Sequence, residues 1–208
     1  MDAFGEHGFA GASTRDIASR AGVNAPALQY YFENKEGLYR ACVEAIADNA
    51  RESFEPAFRH AQAVLAAPEA GVDDLVDAFL RLQDVIVERT LSKKISPNQR
   101  LFFAREQSGF EPTSATEILV ERVRRPFNDV SVALIARISG ADPEDTVTRI
   151  RAITLHGQLM IFHSAQRSTL ASLRWPNFSA ERLALLRETV REQSRTLLMQ
   201  WYRDGQTA

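Results

Sequence analysis

Apolar residues recur along the chain at intervals of three and four positions, which is the spacing of one face of an α-helix. The alternation of a β-strand is missing, because Val85-Ile86-Val87 is too short and lies within a helical pattern. Prolines and glycines separate the periodic stretches, so the pattern predicts an all-α fold of about nine helices. Beyond residue 70 we expect helices near 73–90, 98–107, 114–124, 127–139, 143–172 and 179–203.

The start of the chain contains two helix boundaries. A short segment over 1–8 ends in Gly8-Phe9, which indicates a helix stop followed by an apolar anchor. Ser13 lies three residues before Asp16, the spacing of a capping box, in which a hydroxyl and an acidic side chain cap the first turn. We therefore expect a helix over about 14–21.

Residues 22–32 add a tight turn and a second short helix. Gly22 stands where a left-handed turn residue is required, and Pro26 suits the first turn of a helix that carries 27–32. Two short helices around such a turn predict a helix-turn-helix, whose second helix enters the major groove of DNA. Ala18 and Gly22 are small where the helices would cross. The residues expected to fill the small core are Ile17, Val23 and Leu28.

A long fourth helix is predicted to follow. Asn34 is a candidate cap, the helix starts near Lys35, and Pro56 should bend or end it because proline lacks an amide hydrogen. The sequence thus predicts a three-helix head, a connecting helix and a helical remainder, with expected domains 1–45 and 46–208.

The composition of the chain does not support the DNA-binding prediction. The 208 residues include 25 Lys and Arg against 27 Asp and Glu, whereas a strongly basic chain would point to nucleic acid at once. Within 1–40 the charged residues are Arg15, Arg20, Lys35 and Arg40 against Asp2, Glu6, Asp16, Glu33 and Glu36. The prediction therefore depends on the motif and its geometry.

Three runs in the head resemble the DNA-binding domain of the TetR family of transcriptional regulators. They are 8–18 (GFAGASTRDIA), 21–23 (AGV) and 30–38 (YYFENKEGL). The resemblance implies a regulator that binds double-stranded operator DNA. It also implies a first helix that starts before the position of Met1, so that 2–6 would form only its last turns. A start codon assigned too late and a naturally short chain would both explain this.

The resemblance also implies roles for individual residues. Ser13 and Thr14 would cap the second helix, with Thr14 touching a phosphate, and Arg15 would point toward a base edge or the DNA backbone. The groove-facing residues would be Asn24, Ala25, Pro26, Ala27 and Gln29. The chemistry agrees, since glutamine can bind adenine through two hydrogen bonds and alanine can contact a thymine methyl group.

Contacts to the DNA backbone are expected at the end of the motif. Tyr30 and Tyr31 would stack against the sugar-phosphate wall and donate hydrogen bonds to phosphates. Lys35 would pair with a phosphate that the N-terminus of the fourth helix also attracts.

The second half of the chain resembles the C-terminal domain of the CecR-like branch of this family. The matching pieces are 100–106 (RLFFARE), Pro126, 142–145 (DPED) and the helix that contains Gly157-Gln158 and Phe162. This resemblance implies a helical domain that binds a small-molecule effector and forms the homodimer.

The last two predicted helices are amphipathic. One carries an apolar stripe of Val147, Ile150, Ile153, Gly157 and Ile161, and the other carries Leu183, Leu186, Val190, Leu197 and Trp201. The pattern alone leaves it open whether these stripes complete the core of one chain or form a four-helix bundle between two chains. The resemblance favours the dimer, and so does the small number of base contacts that a single helix-turn-helix makes. We expect Leu186 and Val190 in the interface.

Several helices carry apolar residues that could together enclose an effector cavity, although each residue alone is more simply explained as core. The apolar candidates are Phe79, Leu82, Phe102, Phe103, Leu119, Leu159 and Phe162, and the polar candidates are Arg105, Glu106, Gln158 and His163. For Arg105 and Glu106, an ion pair at the surface or between helices is the simpler interpretation. We expect the effector to release the DNA, with the fourth helix as the rigid link.

Other chemistry has little support in the sequence. His156 and His163 are seven residues apart, whereas metal-binding pairs on a helix are three or four apart, so no metal or other cofactor is expected. Cys42 is the single cysteine, which fits a reducing cytoplasm. No apolar run indicates a membrane helix or a signal peptide. Nor is there a catalytic motif, so we expect no enzyme. An enzyme with converging carboxylates or histidine and a helical adaptor protein remain the alternatives, and only the head motif opposes the adaptor.

Overall fold

The computed structural model describes residues 1–91, 96–109 and 111–207, and every regular element within these ranges is helical. The helices are α1 (Asp2–Gly11), α2 (Thr14–Arg20), α3 (Ala25–Phe32), α4 (Lys35–Ala66), α5 (Val72–Leu91), α6 (Pro97–Gln107), α7 (Thr113–Leu119), α8 (Arg125–Ser139), α9 (Thr146–Ser164), α10 (Gln166–Leu173) and α11 (Ala180–Gln206). A single π-helical turn, Val120–Arg124, joins α7 to α8. The predicted all-α fold is confirmed.

Helix α4 and the helix expected over 143–172 differ from the sequence-based prediction. Pro56 was expected to bend or end helix α4; the helix continues through Pro56, so it does not end there. Pro56 itself is exposed, while Phe54, Ala57 and Ala61 of the same helix are buried. We infer that this packing offsets the one backbone hydrogen bond that proline cannot make. The single helix expected over 143–172 is instead divided into α9 and α10 at Ala165, whose backbone leaves the helical region (φ −112°, ψ 40°).

The chain divides into two compact units, and the first is discontinuous in sequence. It combines Met1–Arg51 with Lys94–Arg125 and so joins the helix-turn-helix to α6 and α7. Aromatic rings form its centre: Tyr39 is fully buried and lies 4.9 Å from Phe4, 5.3 Å from Phe9 and 5.3 Å from Phe102, measured between ring centroids.

Helices α1 and α6 approach each other closely within the first unit. A Cβ atom on Gly5 would lie 2.0 Å from the backbone oxygen of Asn98, so no larger residue fits at position 5 without a shift of the backbone. Residues from the middle of the chain are therefore part of the structure that supports the head.

The second unit comprises Glu52–Lys93 and Pro126–Ala208. Its core is aliphatic and aromatic, with buried residues from α4, α5, α8, α9 and α11, among them Phe79, Leu82, Leu134, Ile135, Leu155 and Leu198. A further cluster in this unit contains Leu159, Phe178, Leu186 and Val190. The sequence-based division into 1–45 and 46–208 remains a prediction about functional domains, since the compact units follow different boundaries.

The apolar residues of α9 and α11 are not all placed as the sequence predicted. Leu186 and Val190 are only 6% and 5% exposed and pack within the core of their own chain. The prediction that these two residues face a second chain was therefore wrong. The exposed apolar residues of this region are Val147, Ile150, Ile153 and Ile161 on α9, together with Leu173 on α10 and Leu185 and Leu197 on α11.

Candidate DNA-binding site

Helix α2 begins at the predicted cap. The Ser13 side chain accepts a hydrogen bond from the Asp16 amide at 3.1 Å. The Asp16 carboxylate does not complete a capping box; it pairs instead with Arg20, one turn later, at 3.0 Å. Arg20 also donates to Glu6 of α1 at 2.7 Å, and this hydrogen bond and charge lower the pKa of Glu6. The ion pairs therefore join α1 to α2.

Helix α3 is capped by the residue before it. Asn24 Oδ1 accepts a hydrogen bond from the Ala27 amide at 2.8 Å, and Pro26 lies in the first turn, where no amide hydrogen is needed. The Oδ1 atom of Asn24 is thus used within the protein, while the side chain remains exposed. None of the eight residues of α3 is fully buried: Leu28 and Phe32 pack partly against the core of the unit, while Pro26, Gln29, Tyr30 and Tyr31 are exposed.

The aromatic end of α3 is strongly exposed. Tyr30 is 84% exposed and Tyr31 is 75% exposed, and their rings meet edge to face with centroids 5.4 Å apart. Gln29 is also exposed, whereas Ala25 and Ala27 are half-buried. Two adjacent phenol groups in this arrangement can donate hydrogen bonds to an acceptor-rich surface such as a phosphate backbone.

The small core of the helix-turn-helix is only partly as expected. Ile17 and Ala18 are buried and Leu28 is half-buried, in agreement with the pattern. Val23, however, is 46% exposed, so its predicted place in this core was wrong. Val23 follows Gly22, whose positive φ of 68° turns the chain between α2 and α3, and its amide bonds the Ala18 oxygen at 3.0 Å. The turn is therefore held by its backbone more than by this side chain.

Lys35 makes contacts that the sequence did not indicate. Its ammonium group lies 3.4 Å from the Ala10 oxygen and 3.3 Å from the Ala12 oxygen, and 4.6 Å from the centroid of the Phe9 ring. A cation at the C-terminal end of a helix is favourable because the carbonyl groups there carry partial negative charge. An ammonium group has three hydrogens, and these two bonds leave one of them for another acceptor. The contact of Lys35 with a phosphate therefore stays a prediction. Thr14 is half-buried, and Arg15 is exposed beside it.

Two residues support α1 in a way that the sequence did not predict: Arg105 was expected only as an effector or ion-pair residue, and Glu111 was not singled out. Arg105 donates to the backbone oxygens of Gly5 and Glu6 at 3.2 and 3.3 Å, and Glu111 accepts from the Phe9 amide at 2.9 Å. Both contacts flank Gly8, where α1 is kinked by a positive φ of 71°. The helix stop predicted at Gly8-Phe9 is thus present as a kink. The sequence signalled the kink but not its partners, which lie about a hundred residues away.

The candidate effector residues are divided between the two units. Phe102, Phe103, Arg105, Glu106 and Leu119 belong to the first unit, while Phe79, Leu82, Gln158, Leu159 and Phe162 belong to the second. Arg105 holds α1, as described above. Glu106 is buried and accepts hydrogen bonds from Thr116 and Arg124. For this residue the structure therefore contains the ion pair between helices that was the simpler interpretation.

Comparison with known proteins shows to which family the chain belongs. Residues 1–42 match the family described as bacterial regulatory proteins, tetR family. Residues 75–200 match the family described as the C-terminal domain of the HTH-type transcriptional dual regulator CecR. A protein of that name from Shigella flexneri is 33% identical over 187 residues, which cover 90% of this chain and 82% of the relative. The chain belongs to the TetR family of transcriptional regulators.

Other relatives support parts of this assignment. The HTH-type transcriptional regulatory protein RaaS of Mycobacterium tuberculosis (strain ATCC 25618 / H37Rv) is 41% identical over 59 residues, or 28% of this chain and 27% of RaaS. The crystal structure of a TetR-family regulator from Mesorhizobium loti MAFF303099 superposes with a TM-score of 0.58 at 17% identity, over 95% of this chain and 89% of that one. The structural match shows the TetR fold, and the sequence matches place the chain in the CecR-like branch.

The TetR-family assignment makes the chain a DNA-binding transcriptional regulator, with the exposed α3 in its helix-turn-helix. Within the parts of the chain that the structure describes, every helix is too short or too polar to span a membrane. In the same parts, no group of three or more His, Cys, Asp and Glu side chains is arranged to hold a metal ion.

Proposed function

We propose that this TetR-family protein is a repressor that binds a specific operator through α2 and α3 and leaves it when a small molecule binds. The observation that carries the DNA-binding part is α3, a capped helix with no buried residue and with Gln29, Tyr30 and Tyr31 exposed. A helix of this kind can enter a major groove without losing contacts of its own core. The remaining proposed DNA contacts are Ser13, Thr14, Arg15, Asn24, Ala25, Pro26, Ala27 and Lys35.

A gel-shift titration with the DNA upstream of the protein's own gene tests this proposal. Gln29→Ala should relax the preference at one base pair, by roughly 1–3 kcal/mol, because a bidentate contact to a base would be lost. Gln107→Ala, at an exposed glutamine of the same unit, is the matched control and should bind like the unchanged protein. An unchanged preference in Gln29→Ala would remove this residue from base recognition. No specific binding by the unchanged protein would contradict the regulator assignment.

We further propose that the operator-binding form is a homodimer whose interface is centred on the exposed stripe of α9. The exposure of these residues supports this choice: Ile150 and Ile153 are about half exposed or more, whereas Leu186 and Val190 are in the core. Gly157 also lies on this stripe, and a Cβ atom placed on it would meet nothing within 4 Å in its own chain. Exposed aliphatic residues on one helix face, next to a residue without a Cβ, suit close packing against the same face of a second copy.

Sedimentation velocity over a range of protein concentrations tests the dimer. Ile150→Glu should give a monomer, because a carboxylate would be buried at the interface without a partner, at a cost of several kcal/mol. Leu173→Glu introduces the same charge at an exposed leucine of α10 and should leave the dimer unchanged. A stable dimer in Ile150→Glu would place the interface elsewhere.

The effector part of the proposal concerns the second unit, which contains the bundle core from α5, α8, α9 and α11. Small-molecule sites in helical bundles are formed between facing helices, and differential affinity for two arrangements is what shifts an equilibrium. A coupling of about 1–3 kcal/mol would change operator affinity roughly 5- to 150-fold. Since the proposed partner is operator DNA, we place the protein in the cytoplasm.

A further inference from the structure

Two buried polar side chains lie at the contact between α5 and α9: Gln83 on α5 and His156 on α9. Gln83 is 2% exposed and His156 is 8% exposed, and both lie among apolar residues of the second unit. The Gln83 amide nitrogen donates to the Leu155 oxygen at 3.0 Å, one residue before His156. Phe79, one turn before Gln83, stacks on the His156 ring with centroids 4.9 Å apart and planes at 17°. The two polar groups are therefore held in one small region.

The hydrogen-bond pattern fixes which atoms of His156 can accept. Ser131 has a single hydroxyl hydrogen, and its Oγ lies 2.7 Å from the Phe127 oxygen, so that hydrogen is donated to the carbonyl group. His156 Nε2 lies 2.9 Å from the same Oγ and must therefore carry the ring hydrogen and donate it. Burial lowers the pKa of His156 to about 3, so the ring is neutral at physiological pH. The remaining atom, Nδ1, is a hydrogen-bond acceptor.

A second acceptor is fixed in the same way on Gln83. Because its nitrogen donates to Leu155, the amide orientation leaves Oε1 as an acceptor. Among the described residues, neither Gln83 Oε1 nor His156 Nδ1 has a hydrogen-bond partner, although both atoms are buried. More than nine-tenths of buried polar groups in proteins are paired, so two unpaired acceptors on neighbouring residues call for a donor from outside the chain.

The surroundings define the chemistry of that donor. Phe79 covers one face of the His156 ring, and Phe127 lies at 4.4 Å with a tilt of 60°, so flat apolar surfaces border the acceptors. The neighbouring carboxylate, Asp84, forms ion pairs with Arg191 and, at 3.9 Å, with Arg187, so its charge is already compensated within the chain. A cationic donor would lose its hydration there without compensation, whereas a neutral N–H or O–H group would not.

We propose that Gln83 and His156 form the polar end of an effector site between α5 and α9, and that its ligand is an uncharged, flat molecule carrying N–H or O–H donors. This inference rests on the proposed effector response of the second unit and specifies its ligand class. It also changes the candidate residues, since neither Gln83 nor His156 was among the effector residues expected from the sequence.

Indole and indene provide a matched pair of probes, because they share shape and size and differ in the N–H group. Thermal unfolding and calorimetric titration of the full-length protein should show indole binding about 3- to 10-fold more tightly than indene, the value of one hydrogen bond. His156→Phe keeps a ring between the phenylalanines and removes the acceptor, and Gln83→Met removes the other acceptor at similar volume. At least one of these variants should bind both probes equally. Gln193→Met, at an exposed glutamine of α11, should keep the preference.

The inference is overturned if the unchanged protein binds the two probes equally or binds neither. This result is expected if bound water alone satisfies the two acceptors. A preference for indole that persists in both variants overturns it as well. If one variant does not fold, the other decides the outcome. Gel shifts with the upstream DNA separate this inference from the proposed function: operator binding by the unchanged protein without a preference for indole contradicts only the ligand site.

Discussion

Helices α3 and α9 both expose large side chains, but the two surfaces differ in chemistry. Helix α3 exposes Tyr30 and Tyr31, whose rings end in hydroxyl groups, whereas α9 exposes isoleucines such as Ile153 (61% exposed), which cannot hydrogen-bond. The first surface suits a wet, acceptor-rich partner such as DNA, and the second suits a dry apolar partner such as another copy of the chain. The chemistry of the exposed atoms therefore indicates which kind of partner each surface suits.

The inner faces of the two helices differ as well. Helix α3 has no buried residue, while α9 buries Ala152, Leu155, His156 and Leu159. A helix that binds DNA can be kept in place by its caps and by contacts with neighbouring helices. A helix that both stabilises a core and forms an interface needs two apolar faces. On α9 the apolar stripe predicted from the sequence is the exposed face, and the residues buried in the core form a second face.

The largest effect is expected from charges on the α9 stripe. Ile150→Glu combined with Ile153→Glu should reduce operator affinity by at least about 100-fold, because a monomer presents only one helix-turn-helix. The measurement is a gel-shift titration at protein concentrations where the unchanged protein is dimeric. Full operator affinity in this double variant would mean that the two exposed helices act independently.

A loss of support behind the head should have a smaller effect. Arg105→Ala removes hydrogen bonds from a charged group to the Gly5 and Glu6 oxygens and should lower the free energy of unfolding by about 1–2 kcal/mol. The control, Arg125→Ala, breaks an exposed ion pair with Glu121 and should cost no more than about 0.5 kcal/mol. Urea denaturation measures both. Equal effects would show that Arg105 does not brace α1.

The inner face of α9 should make the stability depend on pH. The folded pKa of His156 is lowered to about 3 by burial, below the usual value of about 6.5, so the unfolded chain binds the proton first. The free energy of unfolding should therefore fall as the pH drops below about 6.5, by up to about 2 kcal/mol at pH 5, since each pH unit contributes at most about 1.4 kcal/mol. Urea titrations at pH 7.5 and 5 should show this loss, and His156→Phe should lack that part of it. The same loss in both proteins would assign the pH dependence to other groups.

The smallest effect is expected at the hydroxyl groups of α3. Tyr31→Phe keeps the ring and removes one donor, so operator affinity should fall by about 3- to 10-fold, equally for all DNA sequences. Tyr202→Phe on α11 is the control and should not change DNA binding. A change of base preference in Tyr31→Phe would mean that Tyr31 reads the sequence, which would separate it from the backbone contacts proposed here.

The features that the sequence by itself determined are local ones. Ser13 caps the helix that its position predicted, and Gly8 and Gly22 adopt positive φ where a helix stop and a turn were expected. Helix periodicity, caps and turns depend on residues three or four positions apart, so one short stretch of chain contains all their causes. The family resemblance rests on the same short stretches and was confirmed.

The tertiary structure decided which apolar faces are covered. An apolar stripe shows that a helix face needs a partner but not which one, so Leu186 and Val190 could not be distinguished by pattern from the isoleucines of α9. Only packing placed the former in the core and left the latter at the surface.

The long-range partners were also invisible in the pattern. Arg105 reaches Gly5 across a hundred positions, and Gln83 meets Leu155 beside His156 across 72. These bonds depend on where distant helices come together, and side chains that meet in this way need not share any spacing along the sequence. For this reason the cap of α2 and the turn before α3 followed from the sequence, while the support behind them and the acceptors in the second unit required the folded chain.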